Sequence, residues 1–292
     1  MPLDQIDVDK IEDQKEAPKE MTFLEHLEEL RWHIIRSLAV IVTIGIVLFI
    51  FQDWLFDKVI FAPTYEDFLS YRAFCGLSEW LMLGDIMCLE PPVFRKQAIG
   101  FGEAFITSIK VSFITGFIAS FPYIFWEFWT FIKPGLYSKE QQTARGAVFV
   151  CSFLFMLGVS FGYFIISPFA VKFLAGYTIP GVENVPTLSS LINYMIMFTA
   201  PAGLIFELPV VVYFLSRIGL VTPDDLRKYR RHSIIGILML SAMLTPPDVV
   251  TQFLIGIPLF ILYEISILVS ARVVREEAAK EAERERELMK NE

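Results

Sequence analysis

Long apolar runs alternate with short polar connections along most of this chain. The first run is 33–51, "HIIRSLAVIVTIGIVLFIF", and a second lies within 108–132 around "VSFITGFIASFPYIFWEFW". Others cover 147–170 and 191–215, and a last stretch, 233–271, is split by "TPPD" at 245–248 into 233–245 and 250–271. Crossing a bilayer takes about 20 apolar residues in a helix. This pattern predicts an all-α polytopic membrane protein with six transmembrane helices. The fifth run is only about 20 Å long at 1.5 Å per residue, against a hydrocarbon core of about 30 Å. Both of the last two helices are therefore expected to be short.

The polar segments divide the chain further. Residues 1–20 read as an acidic tail, 21–271 as the membrane domain and 272–292 as a charged tail in which Glu276 and Lys280 form an i,i+4 pair. "MTFLEHLEELR" at 21–31 predicts an amphipathic helix along the membrane surface, with Phe23, Leu27, Leu30 and Ile34 on one face and Glu25, Glu28 and Glu29 on the other. Thr22 and Glu25 fit a capping box. Residues 52–104 form a long loop and 171–190 a second connection on the same side. The charged residues before the first run, and the length of that run, point to a retained anchor and not a cleaved signal.

Composition and charge fix the orientation. The chain is 54% hydrophobic with mean hydropathy +0.53, above the range of soluble domains. Basic residues near span ends mark the cytoplasmic side. Connections 133–146 and 216–232 carry Lys133, Lys139, Arg145, Arg217, Arg227, Lys228, Arg230 and Arg231. These place both termini in the cytoplasm. The net charge of -8 owes most to residues 1–31, where ten acids face four bases, and gives no reason to expect nucleic acid as a partner.

Candidate chemistry is sparse. No phosphate-binding glycine loop, zinc-ligand spacing or nucleophile elbow occurs, so an enzyme is not expected and no cofactor or metal is implied. His26, His33 and His232 read as interfacial residues. Any work must draw on a gradient or on a partner. Cys151 reads as a buried apolar filler. Cys75 and Cys88 flank a short piece of the first external loop; pairing in an oxidising compartment and two free thiols are both open. The sharpest feature is Glu207 in "LIFELPVVVYF", a carboxylate within an apolar run. A charge there is costly, so it faces a cavity or a polar partner or stays protonated. Pro201 and Pro209 kink its helix. Thr245 and Gln252 are candidate companions. Glu127 and Glu264 lie near cytoplasmic ends, where snorkelling to water is easy.

Five segments, "FLEHLEELR" (23–31), "FIKPGLYSKE" (131–140), "FELPV" (206–210), "TPDDLRKYR" (222–230) and "LTPPDVVTQ" (244–252), resemble the TatC family, receptor subunits of the twin-arginine protein translocase. The resemblance runs from about 22 to 272. It implies a cupped six-span bundle in a bacterial inner membrane, which receives folded cargo bearing Arg-Arg signal peptides for export driven by the proton-motive force. It implies signal-peptide contacts at Glu29, Leu30, Arg31, Phe131 and Glu140. Glu207, with Thr245 and Gln252 around it, would dock single-span TatA-like and TatB-like partners; self-association is also implied. Pro63 would belong to an outer cap and Asp248 to a short outer hairpin. This chain departs from the family pattern in a tail about 20 residues longer, an insertion of roughly 30 residues around 66–97, and Gln141 and Gln142 where bases are common. The alternative is a secondary transporter using Glu207 as an intramembrane proton or ion site. Internal repeats or paired broken helices would mark it, and neither is visible.

Overall fold

The computed structural model describes residues 23–80, 82, 88, 97–132, 144–177, 179–181, 185–244 and 249–291. Among them the named elements are all helical, and an isolated parallel bridge joins Gln97 and Thr187. Helix α1, Phe23–Ile50, is continuous. The expected surface helix and first span are thus one rod, because neither proline nor glycine interrupts the chain between Phe23 and Ala39. Its packed face also differs from the apolar stripe expected. Leu27 is 45% and Ile34 56% exposed, while Glu29, Leu30 and His33 are half-buried. Leu27 and Ile34 therefore suit lipid. The proposed Thr22 cap lies outside the described residues.

Short helix α2, Gln52–Leu55, leads through a π-turn, Phe56–Ile60, and a 3-10 turn, Ala62–Thr64, into α3, Leu69–Trp80. Here Pro63 is buried and its carbonyl accepts the Tyr71 hydroxyl at 2.5 Å; burial pushes the Tyr71 phenol up to about 12. Phe68 packs on Tyr163 and Phe164, and Phe74 on Phe169. These contacts seat the loop against the third span. Cys75 and Cys88 are joined by a disulfide with Cα atoms 4.3 Å apart.

Helix α4, Glu103–Ile132, is the second span. Glu103 accepts the amides of Ile99 and Gly100, both at 2.8 Å, and of Ser189 at 2.9 Å. One carboxylate thus ties the start of α4 to the start of the fourth span. The third span is α5, Ala144–Phe161, a π-turn, Gly162–Ile166, and α6, Ser167–Gly176. Pro168 explains the π-turn: it has no N–H for the carbonyl of Phe164 and its ring crowds that turn.

The fourth span is α7, Leu188–Phe206, and α8, Leu208–Arg217, broken at Glu207. The break falls where Pro209 cannot donate to Ile205, and the Glu207 amide turns back to the Leu204 carbonyl at 3.2 Å. Helix α9, Pro223–Lys228, precedes α10, Arg230–Leu244, whose 15 residues make about 22 Å of helix. Helix α11, Val249–Asn291, has 43 residues. Of the last pair only α10 is short: the apolar part of α11, 249–271, is about 34 Å long. The charged tail continues the same helix, since 259–291 contains no proline or glycine. Among the described residues, five helical stretches are long and apolar enough to cross a membrane, and α10 falls below that length.

Close helix approach holds the bundle. Gly116 of α4 lies on α1, where an added Cβ would sit 2.9 Å from the Gly45 nitrogen. Gly158 and Gly162 bring the third span onto α7. Lipid tails are as apolar as side chains, so such backbone proximity and interlocking packing carry membrane helix association. The largest core cluster joins Ile166, Ala170, Phe198, Ala202 and Phe206 to Ile255, Leu259 and Leu262 of α11. Phe121 stacks on Phe155 with centroids 3.5 Å apart, closing α4 onto α5.

At the basic end, α9 is capped by a Thr222–Asp225 capping box. Hydrogen bonds from the Thr222 hydroxyl and amide hold the Asp225 carboxyl below its ordinary value. A depressed carboxylate stabilises above its unfolded value and loses that contribution as pH falls through the folded one. Protection of the α9 amides, meaning exchange relative to its intrinsic rate at each pH, is therefore expected to hold at neutral pH and to fall as pH drops below about 4. Thr222→Ala should lower protection at neutral pH and flatten this dependence. Protection that does not change with pH in the wild type would contradict it.

Candidate functional site: a carboxylate junction and a buried glutamate

Two places gather polar groups inside the bundle. The first lies where the start of α1 meets the end of α4. Residues 26, 29, 30 and 33 fall on one face of α1 by helical spacing. His26 stacks on Phe131, with centroids 4.4 Å apart and planes 19° apart, and His33 meets the same ring edge-on at 6.0 Å. His33 Nδ1 makes a short hydrogen bond with Glu127 Oε2, Tyr123 donates to Glu127 Oε1 at 2.6 Å, and Arg36 lies 4.0 Å from the same carboxylate.

Glu127 is only 8% exposed, so it does not snorkel as expected. His33 and Arg36 reach it from α1 and Tyr123 along its own helix, which removes the need to reach water. Glu264 partly fits the earlier reading: Arg230 donates to it at 2.7 Å, and one of its oxygens is shielded without a partner.

At this junction Glu29 is half-buried, and its Oε2 is shielded from solvent with no hydrogen-bond partner. Such groups are costly to leave unmade. Leu30 is half-buried beside it and Arg31 points outward. Glu140 lies outside the described residues. The structure therefore brings Glu29 and Phe131 to the same helix junction, and adds His26, His33 and Glu127. Sequence reading treated the histidines singly. The signal available was two titratable residues, His33 and Glu127, within predicted spans one and two.

The second place is Glu207, 9% exposed, whose carboxyl oxygens have no partner at strict hydrogen-bond geometry. The Cys151 thiol and the Phe155 amide of α5 approach it as loose donors. The helix break places it there: α7 ends at Phe206 and Pro209 restarts the chain as α8, so the carboxylate projects from an irregular turn. Gln252 is bonded to the Leu238 carbonyl of α10 at 3.3 Å and not to Glu207. Thr245 and Asp248 lie outside the described residues. Among those described, no cluster of three or more His, Cys, Asp or Glu side chains could hold a metal.

The basic ends of α8, α9 and α11 are tied together. Tyr263 donates to the Leu226 carbonyl at 2.6 Å, Ser216 to Ser270 at 2.7 Å, and Arg217 pairs with Glu277 at 3.5 Å.

Comparison with known proteins gives one family. Residues 25–258 match the family model of the Sec-independent protein translocase protein TatC. The TatC protein of Blattabacterium sp. subsp. Periplaneta americana is 37% identical over 263 residues, covering 88% of this chain and 97% of that protein. TatCy of Bacillus subtilis is 30% identical over 257 residues, covering 88% and 91%. Two crystal structures described as the twin-arginine translocase receptor TatC superpose with TM-scores of 0.63 and 0.64, at 30% and 31% identity. They cover 86% and 84% of this chain and 100% and 99% of theirs. A multi-pass helical membrane protein with this match along most of its length belongs to the TatC family of Sec-independent protein translocase components.

Proposed function

We propose that this protein is the signal-peptide receptor and scaffold of a twin-arginine translocase that exports folded proteins. In this reading six helices cross the cytoplasmic membrane of a bacterium, α10 being the short fifth, and both termini are cytoplasmic. The observation that carries it is the unpartnered Oε2 of Glu29, on the face of α1 whose His26 and His33 pack on Phe131 of α4. An arginine of a signal peptide would satisfy that oxygen with a charge-assisted hydrogen bond. Glu140, Leu30 and Arg31 complete the peptide contacts.

Glu207, with Thr245 and Gln252 near the outer ends of the last two spans, docks single-span TatA-like and TatB-like helices. Its oxygens, approached only loosely by the Cys151 thiol and the Phe155 amide, offer acceptors that a polar group on a partner helix would fill. Pro63 and Asp248 belong to the outer cap and hairpin, and copies of the chain self-associate. No step of chemistry is assigned to the chain itself; the proton-motive force drives transport.

The test is export in cells whose own TatC has been removed. A fluorescent, already folded cargo with an Arg-Arg signal peptide should reach the periplasm when this chain and its own partners are supplied. The same cargo with a Lys-Lys signal should stay inside, and Glu207→Ala should stop export while the protein remains in the membrane. Export that ignores both changes would contradict the receptor and docking assignments together.

A further inference from the structure

Most polar groups at the α1–α4 junction have a structural use. His33 and Tyr123 hold Glu127, and Arg36 supports it. His26 is different. Its ring lies flat on Phe131 and the side chain is otherwise exposed. One face of the imidazole is covered by the phenyl ring, and the exposure of the residue leaves room for a second planar group on the stack. Three residues on, one helical turn along the same face, sits Glu29 with its shielded, unpartnered oxygen. An exposed aromatic stack and an unfilled anionic acceptor therefore stand about 5–6 Å apart at their Cβ atoms.

We propose that His26 is a specificity-determining residue that makes this receptor prefer arginine to lysine. The proposal rests on the receptor reading above. A guanidinium is planar. It stacks flat on an aromatic face and still presents an edge of N–H donors. Laid on the His26–Phe131 stack, its edge meets the Glu29 carboxylate. A lysine ammonium is a compact, strongly hydrated point charge. It gains the attraction of Glu29 but nothing from the flat face. Glu29 thus supplies affinity for either cation, and the stack separates them. Phe131 acts by holding the imidazole in plane.

The experiment is the affinity of the detergent-solubilised full chain for an Arg-Arg signal peptide and for its Lys-Lys counterpart. It compares wild type, His26→Ala, His26→Gln and His26→Phe, each checked for monodispersity. The wild type should prefer Arg-Arg. His26→Ala and His26→Gln should weaken the Arg-Arg peptide about five- to tenfold and leave the Lys-Lys peptide nearly unchanged, so the ratio collapses. His26→Phe should restore the ratio, since it restores a flat face. A structural role alone would weaken both peptides together. If His26→Ala fails to fold, His26→Gln carries the same comparison, being of similar size without an aromatic face. A ratio unchanged in the Ala or Gln variant, or not restored by Phe, overturns the role of His26 and leaves the receptor reading standing. Absence of Arg-Arg binding, or of any preference, in the wild type overturns both.

Discussion

Gly162→Leu is expected to leave little or no correctly folded protein. A Cβ at Gly162 would lie 2.5 Å from the Phe198 carbonyl oxygen and 2.8 Å from the Thr199 Cα. Both are backbone atoms of α7 and cannot swing aside. Gly158 repeats the geometry one turn earlier, 2.6 Å from the Ala202 carbonyl. Overpacking a close-packed interior costs about 1–3 kcal/mol even for modest additions, and here two helices must separate. The affected seam also positions Phe206 and the turn at Glu207. The check is the yield of monodisperse protein and its thermal midpoint in detergent. Gly236→Ala on α10 is the control: no atom lies within 4 Å of its Cβ position, and alanine favours a helix by about 0.5–1 kcal/mol over glycine. Equal stability of Gly162→Leu and Gly236→Ala would contradict the packing described.

The second large effect is expected at His33. His33→Ala leaves Glu127 buried with Tyr123 and a distant Arg36. Removing the hydrogen-bond partner of a buried group costs about 1–3 kcal/mol, and more when the group left behind is a carboxylate. Arg36 at 4.0 Å should hold the loss near the lower end. The diagnostic is non-additivity. His33→Ala with Glu127→Ala should be less destabilised than His33→Ala alone, because no orphan charge remains. Thermal unfolding of the four proteins at neutral pH reads the cycle. Strict additivity would mean that the two side chains do not interact.

What pattern reading reached, and what it missed, follows from the range of each interaction. The apolar runs, the short α10 and the break at Glu207 depend on neighbours within a few residues: run length, Pro209, Pro201. These were legible. So was the unusual placing of Glu207, since a lone carboxylate in an apolar run needs no partner to be noticed.

The pairing of His33 with Glu127 was not, because it joins positions 94 apart. Read separately, each looks like an interfacial residue with water nearby. The continuity of α1 was also missed. The amphipathic character of 21–31 suggested a helix lying flat, yet lipid and protein can divide its faces just as well as lipid and water. Likewise the apolar-to-charged switch after 271 marks a change of solvent, not a change of structure, and α11 runs straight through it. The π-turn at Gly162–Ile166 needed Pro168 to be read against the helix around it. Resemblance, by contrast, reached the family through five short segments spread over the whole membrane domain.

The measurement that tests the central claim most directly is the affinity of an Arg-Arg signal peptide for the solubilised protein, wild type against Glu29→Ala and Glu140→Ala. The receptor account predicts saturable binding by the wild type and clear loss in both variants, with their thermal midpoints unchanged. Equal binding by all three, or none by the wild type, would contradict it and move attention to Glu207 as a site for a small ion.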